Sequence, residues 1–411
     1  MSNEGEAIMK YIILLGDGMA DEPMAELNGK TPLQAAHTPN MDRLCQAGSS
    51  GLAATVPAGF PPGSDVANLS VFGYNPGDCY TGRSPLEAAS MGVELAPTDV
   101  AFRLNLVWLE AHFGKLYMGD FSAGHISTAE ADQLIRTLQQ ELGGGEFNFY
   151  TGVSYRHLLV WKNGKDRLSF TPPHDISTLS IEDYLPQGDG AAKLLDLTNS
   201  AQMLLNDHPI NNRRVQEQKV PANSIWLWGH GRRPAMQTFQ ELHGLTGSVI
   251  SAVDLIKGIG INAGLNVIDV PGATGYLDTN YRGKAEYAVN SLRDNDFVYV
   301  HVEAPDEAAH GGLLQEKIEA IESFDREVVG TILENLATIG DCRILVTPDH
   351  PTPVNKRTHT SDPVPYILFD SRQSEGSGPS GYSEENAARC GTIVPGHQLL
   401  SLLLDRNPSR S

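Results

Sequence analysis

Two short segments toward the end of this 411-residue chain hold side chains spaced for metal chemistry. In Ala304-Pro305-Asp306-Glu307-Ala308-Ala309-His310, an aspartate and a histidine stand four residues apart. On a helical turn that spacing puts both side chains on one face, where they can grip one ion. Thr347-Pro348-Asp349-His350-Pro351-Thr352-Pro353 follows the apolar run Arg343-Ile344-Leu345-Val346. A carboxylate and an imidazole are thereby expected at the carboxyl end of a strand, where open α/β sheets keep their ligands. His359 adds a further imidazole. Five such ligands exceed what one zinc site takes from protein, and a pair of metals fits better.

The amino-terminal part supplies complementary groups. Tyr11-Ile12-Ile13-Leu14-Leu15 reads as a buried strand and runs into Gly16-Asp17-Gly18. There the glycines permit close backbone approach, and Asp17 is a hard oxygen ligand. Pro61-Pro62-Gly63-Ser64-Asp65 opens a helical pattern of Val66, Leu69, Val71 and Phe72. Ser64 is thus expected at a helix amino terminus, among free amides and a partial positive charge. The plain role for such a serine is an N-cap. A serine hydroxyl on a metal ion also loses its proton readily and becomes a nucleophile.

These groups lie near opposite ends of the chain, so they can meet only in a domain built from both ends. Strand-like runs in the outer parts are Tyr11-Leu15, Ser224-Trp228, Asn266-Val270, Phe297-Val302, Arg343-Val346 and Tyr366-Phe369. Most are continuous apolar segments, as in parallel strands covered on both faces. A helical stripe of Ile318, Ile321, Val328, Val329 and Ile332 runs between Gln315 and Leu336. The fold class expected is α/β: a doubly wound, mostly parallel sheet from residues 1–95 and 222–411. The middle, 96–221, reads as an inserted α+β domain. Its expected strands are Ala101-Trp108, Lys115-Met118, Phe147-Thr151 and Arg156-Trp161. One helix is predicted after the capping box Ser127-Thr128-Ala129-Glu130, another from Ala191 to Leu205. Met1–Glu6 reads as an extension, Ser371–Ser383 as a surface loop and Pro408–Ser411 as a tail.

In order along the chain, Gly16-Asp17-Gly18, Gly63-Ser64-Asp65-Val66-Ala67-Asn68-Leu69, Thr81-Gly82-Arg83, Asp306-x-x-x-His310, Asp349-His350-Pro351-x-Pro353 and His359 form one pattern. From about Lys10 to about Leu404 it resembles the shorter, archaeal-type branch of the 2,3-bisphosphoglycerate-independent phosphoglycerate mutases, in the alkaline phosphatase superfamily. The resemblance implies an alkaline-phosphatase-like fold and an isomerase that interconverts 3-phosphoglycerate and 2-phosphoglycerate in glycolysis and gluconeogenesis. It implies two divalent ions, manganese first, with magnesium, cobalt or zinc as substitutes, and no 2,3-bisphosphoglycerate. Asp17, Ser64, Asp349 and His350 would hold one ion and Asp306, His310 and His359 the other. Ser64 would carry the phosphoryl group as phosphoserine while the freed glycerate stays bound, and Lys257 would stabilise the leaving alkoxide. His125, in Phe121-Ser122-Ala123-Gly124-His125-Ile126-Ser127, would contact substrate, with Arg156 and Arg232 as anion-binding forks. The segment Glu303-Ala304-Pro305-Asp306-Glu307-Ala308 looks closer to a bacterial subgroup read as homoserine kinases. A kinase-like phosphotransferase of the same fold is therefore the alternative, and a metal-dependent phosphatase the next.

Composition sets limits. A net charge of −20 argues against nucleic acid or an anionic membrane as partner, so a small anionic phosphorylated substrate needs a locally basic pocket. Cys45, Cys79, Cys342 and Cys390 are scattered, with no C-x-x-C pair, as expected of buried thiols in a cytoplasmic protein. No apolar run is long enough to span a bilayer. Gly258-x-Gly260-x-x-x-Gly264 and Asn28-Gly29-Lys30-Thr31 fail the spacing of nucleotide loops. His37, His112, His208, His243 and His397 lack ligand-spaced neighbours and read as ordinary histidines. His301, on the strand before Asp306, reads first as packing.

Overall fold

Ile12 to Leu15 have no polar face to offer water, and their strand, Lys10–Gly16, is buried between two parallel neighbours. Ile13 lies opposite Tyr299 of Phe297–Val302 on one side and Leu345 of Cys342–Thr347 on the other. The structure, a computed structural model, describes residues 9–373, 376 and 378–406. The expected extension Met1–Glu6 and tail Pro408–Ser411 lie outside the described residues.

Two compact units make up the chain: one from both ends, up to Tyr80 and from Ala235, the other the continuous stretch Thr81–Pro234. The first is built on an eight-stranded sheet. Its order is Asn266–Val267, Gly247–Ile250, Phe297–Val302, Lys10–Gly16, Cys342–Thr347, Val364–Asp370, Ser49–Ala54 and Ile393–Pro395. All pairings are parallel except those of Val364–Asp370, which runs antiparallel to both neighbours. The mixed α/β class with a mostly parallel sheet is therefore as expected. The strand expected over Asn266-Val270 is only two residues long, at the sheet edge.

The helical stretch expected from Gln315 is present but not uniform. Leu314–Ser323 is α-helical, Phe324–Val329 widens into a π turn, and Gly330–Glu334 resumes the α-helix. Buried Asp325 sits in that turn, and its carboxylate accepts the N–H groups of Asn40 (3.2 Å) and Met41 (2.6 Å). The wider turn keeps Asp325 on the buried side with Val328 and Val329, where it satisfies the free amides opening helix Pro39–Ala47.

The second unit is a five-stranded antiparallel sheet. Val100–His112 pairs with Lys115–Asp120, Arg156–Trp161 and Ser224–Gly231, and Arg156–Trp161 pairs with Phe147–Val153. Helices Thr128–Leu142 and Ala191–Asn206 pack on it through Leu134, Leu138, Leu194 and Leu197. Ser127 accepts the Glu130 N–H as the expected cap. One reading is corrected: Ser224-Trp228 does not join the parallel sheet. Its strand feeds two apolar clusters of this unit, Ile225 and Leu227 on one face, Trp226 and Trp228 on the other. The units meet at 80/81 and 234/235, outside the expected 95/96 and 221/222, since helix Ser84–Ser90 also packs on Val100–His112.

Candidate active site

Parallel register is what brings the acids together. Gly16 pairs with Val302 and Leu15 with Thr347, so the loops carrying Asp17, Asp306 and Asp349 leave the same end of three adjacent strands. Asp17, Asp349 and His350 place ligand atoms within 4.8 Å of one another, and so do Asp306, His350 and His359. Helix Ala304–His310 presents Asp306 and His310 on one face as the four-residue spacing required, with Oδ2 and Nε2 3.2 Å apart. His359 completes that group, its Nε2 lying 2.8 Å from His310 Nε2 and 3.5 Å from Asp306 Oδ1. All seven expected ligands therefore belong to the unit built from both ends.

Ser64 is not an N-cap. Helix Ser64–Val71 begins at Ser64 itself, with extended Gly63 in the cap position, and the serine Oγ lies 3.2 Å from His350 Nε2. The protons around His350 can be assigned from its other neighbour. Thr352 donates its hydroxyl to Asp306 Oδ1 (2.5 Å), so at 3.2 Å it must accept from His350 Nδ1. The Nε2 lone pair of a neutral His350 is then bare toward Ser64, Asp17 and Asp349.

These groups fit divalent cations. Asp17 Oδ1 is buried without a hydrogen-bond partner. Burial first, then repulsion from Asp349 and Asp306, pushes the Asp17 carboxyl well above its usual range. A hard cation relieves both effects. Burial also opposes ionisation of Asp306, but hydrogen bonds from His310 and His359 outweigh it and hold that carboxyl well below its usual range. The hydrogen bond to Asp306 in turn pushes His310 up to about 9, against burial.

Several contributors carried no signal in the sequence. Asn68 donates to Asp349 Oδ2 (2.8 Å) and to the Ser64 carbonyl (2.9 Å), and accepts from the buried Tyr299 hydroxyl (2.6 Å). It thus ties the serine's helix to the Asp349 loop, although it stood unremarked in the string around Ser64. Gly18 has φ +62°, and a Cβ there would lie 2.6 Å from Asp306 Oδ1 and 2.7 Å from Thr352 Oγ1. Lys257 lies on helix Asp254–Asn262 and forms an ion pair with Asp269 at 2.6 Å. Its charge adds to burial in lowering the buried Lys284 to about 8.

His125, Arg156 and Arg232 lie in the other unit. Ala123, Gly124 and His125 all have positive φ, a turn held by Asp120, whose carboxylate accepts from Ser122 and Gly124. Such backbone in alanine and histidine costs about 1–2 kcal/mol per residue. His125 is exposed and packs edge-on to Tyr155, and the Arg156 guanidinium lies 5.9 Å from the same ring. Close by, Glu87 accepts from Arg83 (2.8 Å) and from Arg103 (2.9 Å), and Arg103 stacks over Trp228. Glu87 is held below its usual range against burial by Arg103 and Arg83, with Arg156 adding to the effect. Three arginines around one glutamate leave a local excess of positive charge in an acidic protein. Sequence reading missed Arg103, and it quoted Arg83 without giving it a role. Arg232 is engaged within its unit by Asp166 Oδ2 (2.6 Å), the Thr98 carbonyl (2.5 Å) and the Gly164 carbonyl (3.0 Å).

Known proteins resemble this chain in sequence and fold. A family model for 2,3-bisphosphoglycerate-independent phosphoglycerate mutase matches residues 45–211. A Geobacter sulfurreducens protein bearing that family name is 61% identical, over 97% of this chain and 100% of its own. A Methanosarcina acetivorans mutase is 52% identical over 96% of this chain and 100% of its own. A solved Pyrococcus horikoshii protein superposes with TM-score 0.81 at 30% identity, covering 97% of each chain. The cofactor-independent phosphoglycerate mutase of Thermoplasma acidophilum gives 0.66 at 27% identity, over 97% of this chain and 99% of that one. With an identity of 61% sustained over nearly its whole length, this chain belongs to the 2,3-bisphosphoglycerate-independent phosphoglycerate mutase family.

Proposed function

We propose that this chain interconverts 3-phosphoglycerate and 2-phosphoglycerate, without 2,3-bisphosphoglycerate, through a phosphoserine at Ser64. The observation that carries this reading is Ser64 Oγ at 3.2 Å from His350 Nε2, at the edge of a group of three aspartates and three histidines in which Asp17, Asp306, Asp349 and His350 are buried. Asp17, Ser64, Asp349 and His350 would hold one divalent ion and Asp306, His310 and His359 a second, manganese being the expected metal. When bound, the ions neutralise phosphoryl oxygens and favour the deprotonated serine hydroxyl.

Ser64 Oγ attacks phosphorus, and the bond to the substrate's 3-oxygen breaks. The released glycerate turns over without leaving, and its 2-hydroxyl oxygen takes the phosphoryl group back from Ser64. Lys257 is the candidate for stabilising the departing alkoxide. His125, Arg156 and Arg232 are the candidates for holding carboxylate and phosphate, and the Arg83–Arg103–Arg156 patch supports an anionic ligand. On this reading the unit built from both ends is catalytic and the Thr81–Pro234 unit binds substrate. The relatives described above carry the mutase name, so neither the homoserine kinase nor the phosphatase alternative is favoured. No helix among the described residues is long and apolar enough to cross a membrane. The unpaired thiols Cys45, Cys79, Cys342 and Cys390 support a cytoplasmic setting.

The test incubates manganese-loaded protein with 3-phosphoglycerate, and separately with ATP and homoserine, following products by phosphorus NMR. The expected result is 2-phosphoglycerate in the first tube only, lost in Ser64→Ala while the fold and most metal binding stay intact. Free phosphate as the sole product, or near-normal turnover in Ser64→Ala, overturns the reading.

A further inference from the structure

The sequence reading left His301 to packing, yet both of its ring nitrogens are engaged beside the catalytic cluster. The ring is fully buried on strand Phe297–Val302. Its Nε2 lies 2.9 Å from Asp17 Oδ2 and its Nδ1 3.1 Å from Ser251 Oγ. Ser251 Oγ also accepts the Val253 N–H at 3.0 Å. With a cation on Oδ1 the Asp17 carboxylate is ionised and only accepts, so His301 Nε2 then carries the proton toward it. The Nδ1 of a neutral ring is then an acceptor, which the Ser251 hydroxyl satisfies with its one hydrogen while its lone pair serves Val253. Every proton in the chain Ser251–His301–Asp17 therefore points the same way.

The backbone around His301 is anchored as firmly as its ring. Buried Lys284 donates to the His301 carbonyl at 2.9 Å, and the Asp17 N–H is bonded to the Val302 carbonyl at 2.9 Å. With Oδ2 occupied by the imidazole, the Asp17 carboxylate cannot rotate freely. Its other oxygen, Oδ1, has no hydrogen-bond partner and lies 3.7 Å from His350 Nε2.

We propose that Ser251 and His301 form a positioning relay that fixes the rotation of Asp17 and keeps Oδ1 turned toward the ion shared with Ser64, Asp349 and His350. The inference rests on the two-ion reading above and adds residues that act on one ion and not on the other. Partners of this kind, behind a metal ligand, change affinity by about 10–100-fold when removed.

The experiment is direct counting of bound manganese, by the electron paramagnetic resonance signal of the free ion, alongside thermal unfolding. His310→Ala marks which binding step belongs to the other ion. In His301→Phe the step owed to Asp17 should weaken roughly 10–100-fold. The step owed to Asp306, His310 and His359 should stay within twofold. His301→Gln, which keeps an amide donor, should recover part of the loss, and Ser251→Ala should weaken the same step by a smaller factor. Two ions bound by His301→Phe with wild-type affinities, or both steps weakened equally at unchanged melting temperature, overturns the relay alone. Wild-type protein that binds fewer than two ions overturns the two-ion reading, and the relay with it. Should His301→Phe fail to fold, Ser251→Ala decides: selective weakening supports the relay, and wild-type binding overturns it.

Discussion

Gly18→Ala offers a quantitative test of how tightly the ligand loops are packed. The added Cβ would stand 2.6 Å from Asp306 Oδ1 and 2.7 Å from Thr352 Oγ1, and 2.9 Å from the Asp306 Cα. Ordinary contact begins near 3.4 Å, so the Asp306 carboxylate must retreat by about 0.8 Å. Part of the clash is with backbone, so a rotamer change cannot remove it. Metal–ligand distances tolerate only about 0.2 Å, so a ligand moved several times that far is lost or badly strained. Alanine at φ +62° adds about 1–2 kcal/mol of backbone strain. The expected outcome is a folded protein with a lowered melting temperature and manganese affinity at the Asp306 ion down by at least about tenfold. Turnover should fall with it. Titration of free manganese, differential scanning calorimetry and the phosphoglycerate assay read the three effects separately. Wild-type manganese affinity in a folded Gly18→Ala protein would refute the idea that Asp306 is held against Gly18.

Three other outcomes follow from buried charge and hydrogen bonding. Lys317 is fully buried and donates to Asp21 Oδ2 (2.8 Å) and to the Ala20 (3.2 Å) and Thr352 (2.8 Å) carbonyls. Lys317→Met should therefore lower unfolding free energy by about 3–5 kcal/mol in urea titrations, and Lys317→Met with Asp21→Asn should recover much of it. Burial pulls His157 down to about 3, so the unfolded chain binds its proton first as pH falls. The stability this residue supports is complete above about pH 6.5 and declines toward pH 3 by up to about 1.4 kcal/mol per pH unit; His157→Gln should flatten that slope in denaturation curves from pH 7 to 4. Arg232→Ala removes three hydrogen bonds within the Thr81–Pro234 unit and should cost about 1–2 kcal/mol of stability by calorimetry, whatever it does to KM.

The clustering of the candidate ligands was legible because their residue types sit where strands end. A run such as Phe297–Val302, apolar throughout, marks its own limits, and Asp17, Asp306 and Asp349 each follow such a run. Ser49–Ala54 escaped notice because Ser-Ser-Gly-Leu-Ala-Ala lacks the β-branched and aromatic residues that signal a strand. Ser224–Gly231 was seen as a strand but assigned to the wrong sheet, since an apolar run does not name its partner. The contact of His301 with Asp17 was hidden for another reason: the two are 284 residues apart, and only the register of two parallel strands makes them neighbours. Asn68 and Thr352 were invisible likewise, as their work is to join segments remote in sequence.

The parallel sheet also dictates when the candidate site can come together. Strand Lys10–Gly16 has no partner nearby in the chain; its neighbours begin at Phe297 and Cys342. At about 5–20 residues per second, a ribosome needs on the order of 15–55 s to travel from Asp17 to His301. Throughout that interval Ile12 to Leu15, an apolar segment, must wait without its strand partners. The Thr81–Pro234 unit has every strand of its sheet within one stretch and can complete its pairing while the first strand is still waiting. The candidate ligands from the beginning of the chain can therefore join those of its last third only when that last third emerges, and a truncated product that stops before His359 lacks part of the cluster.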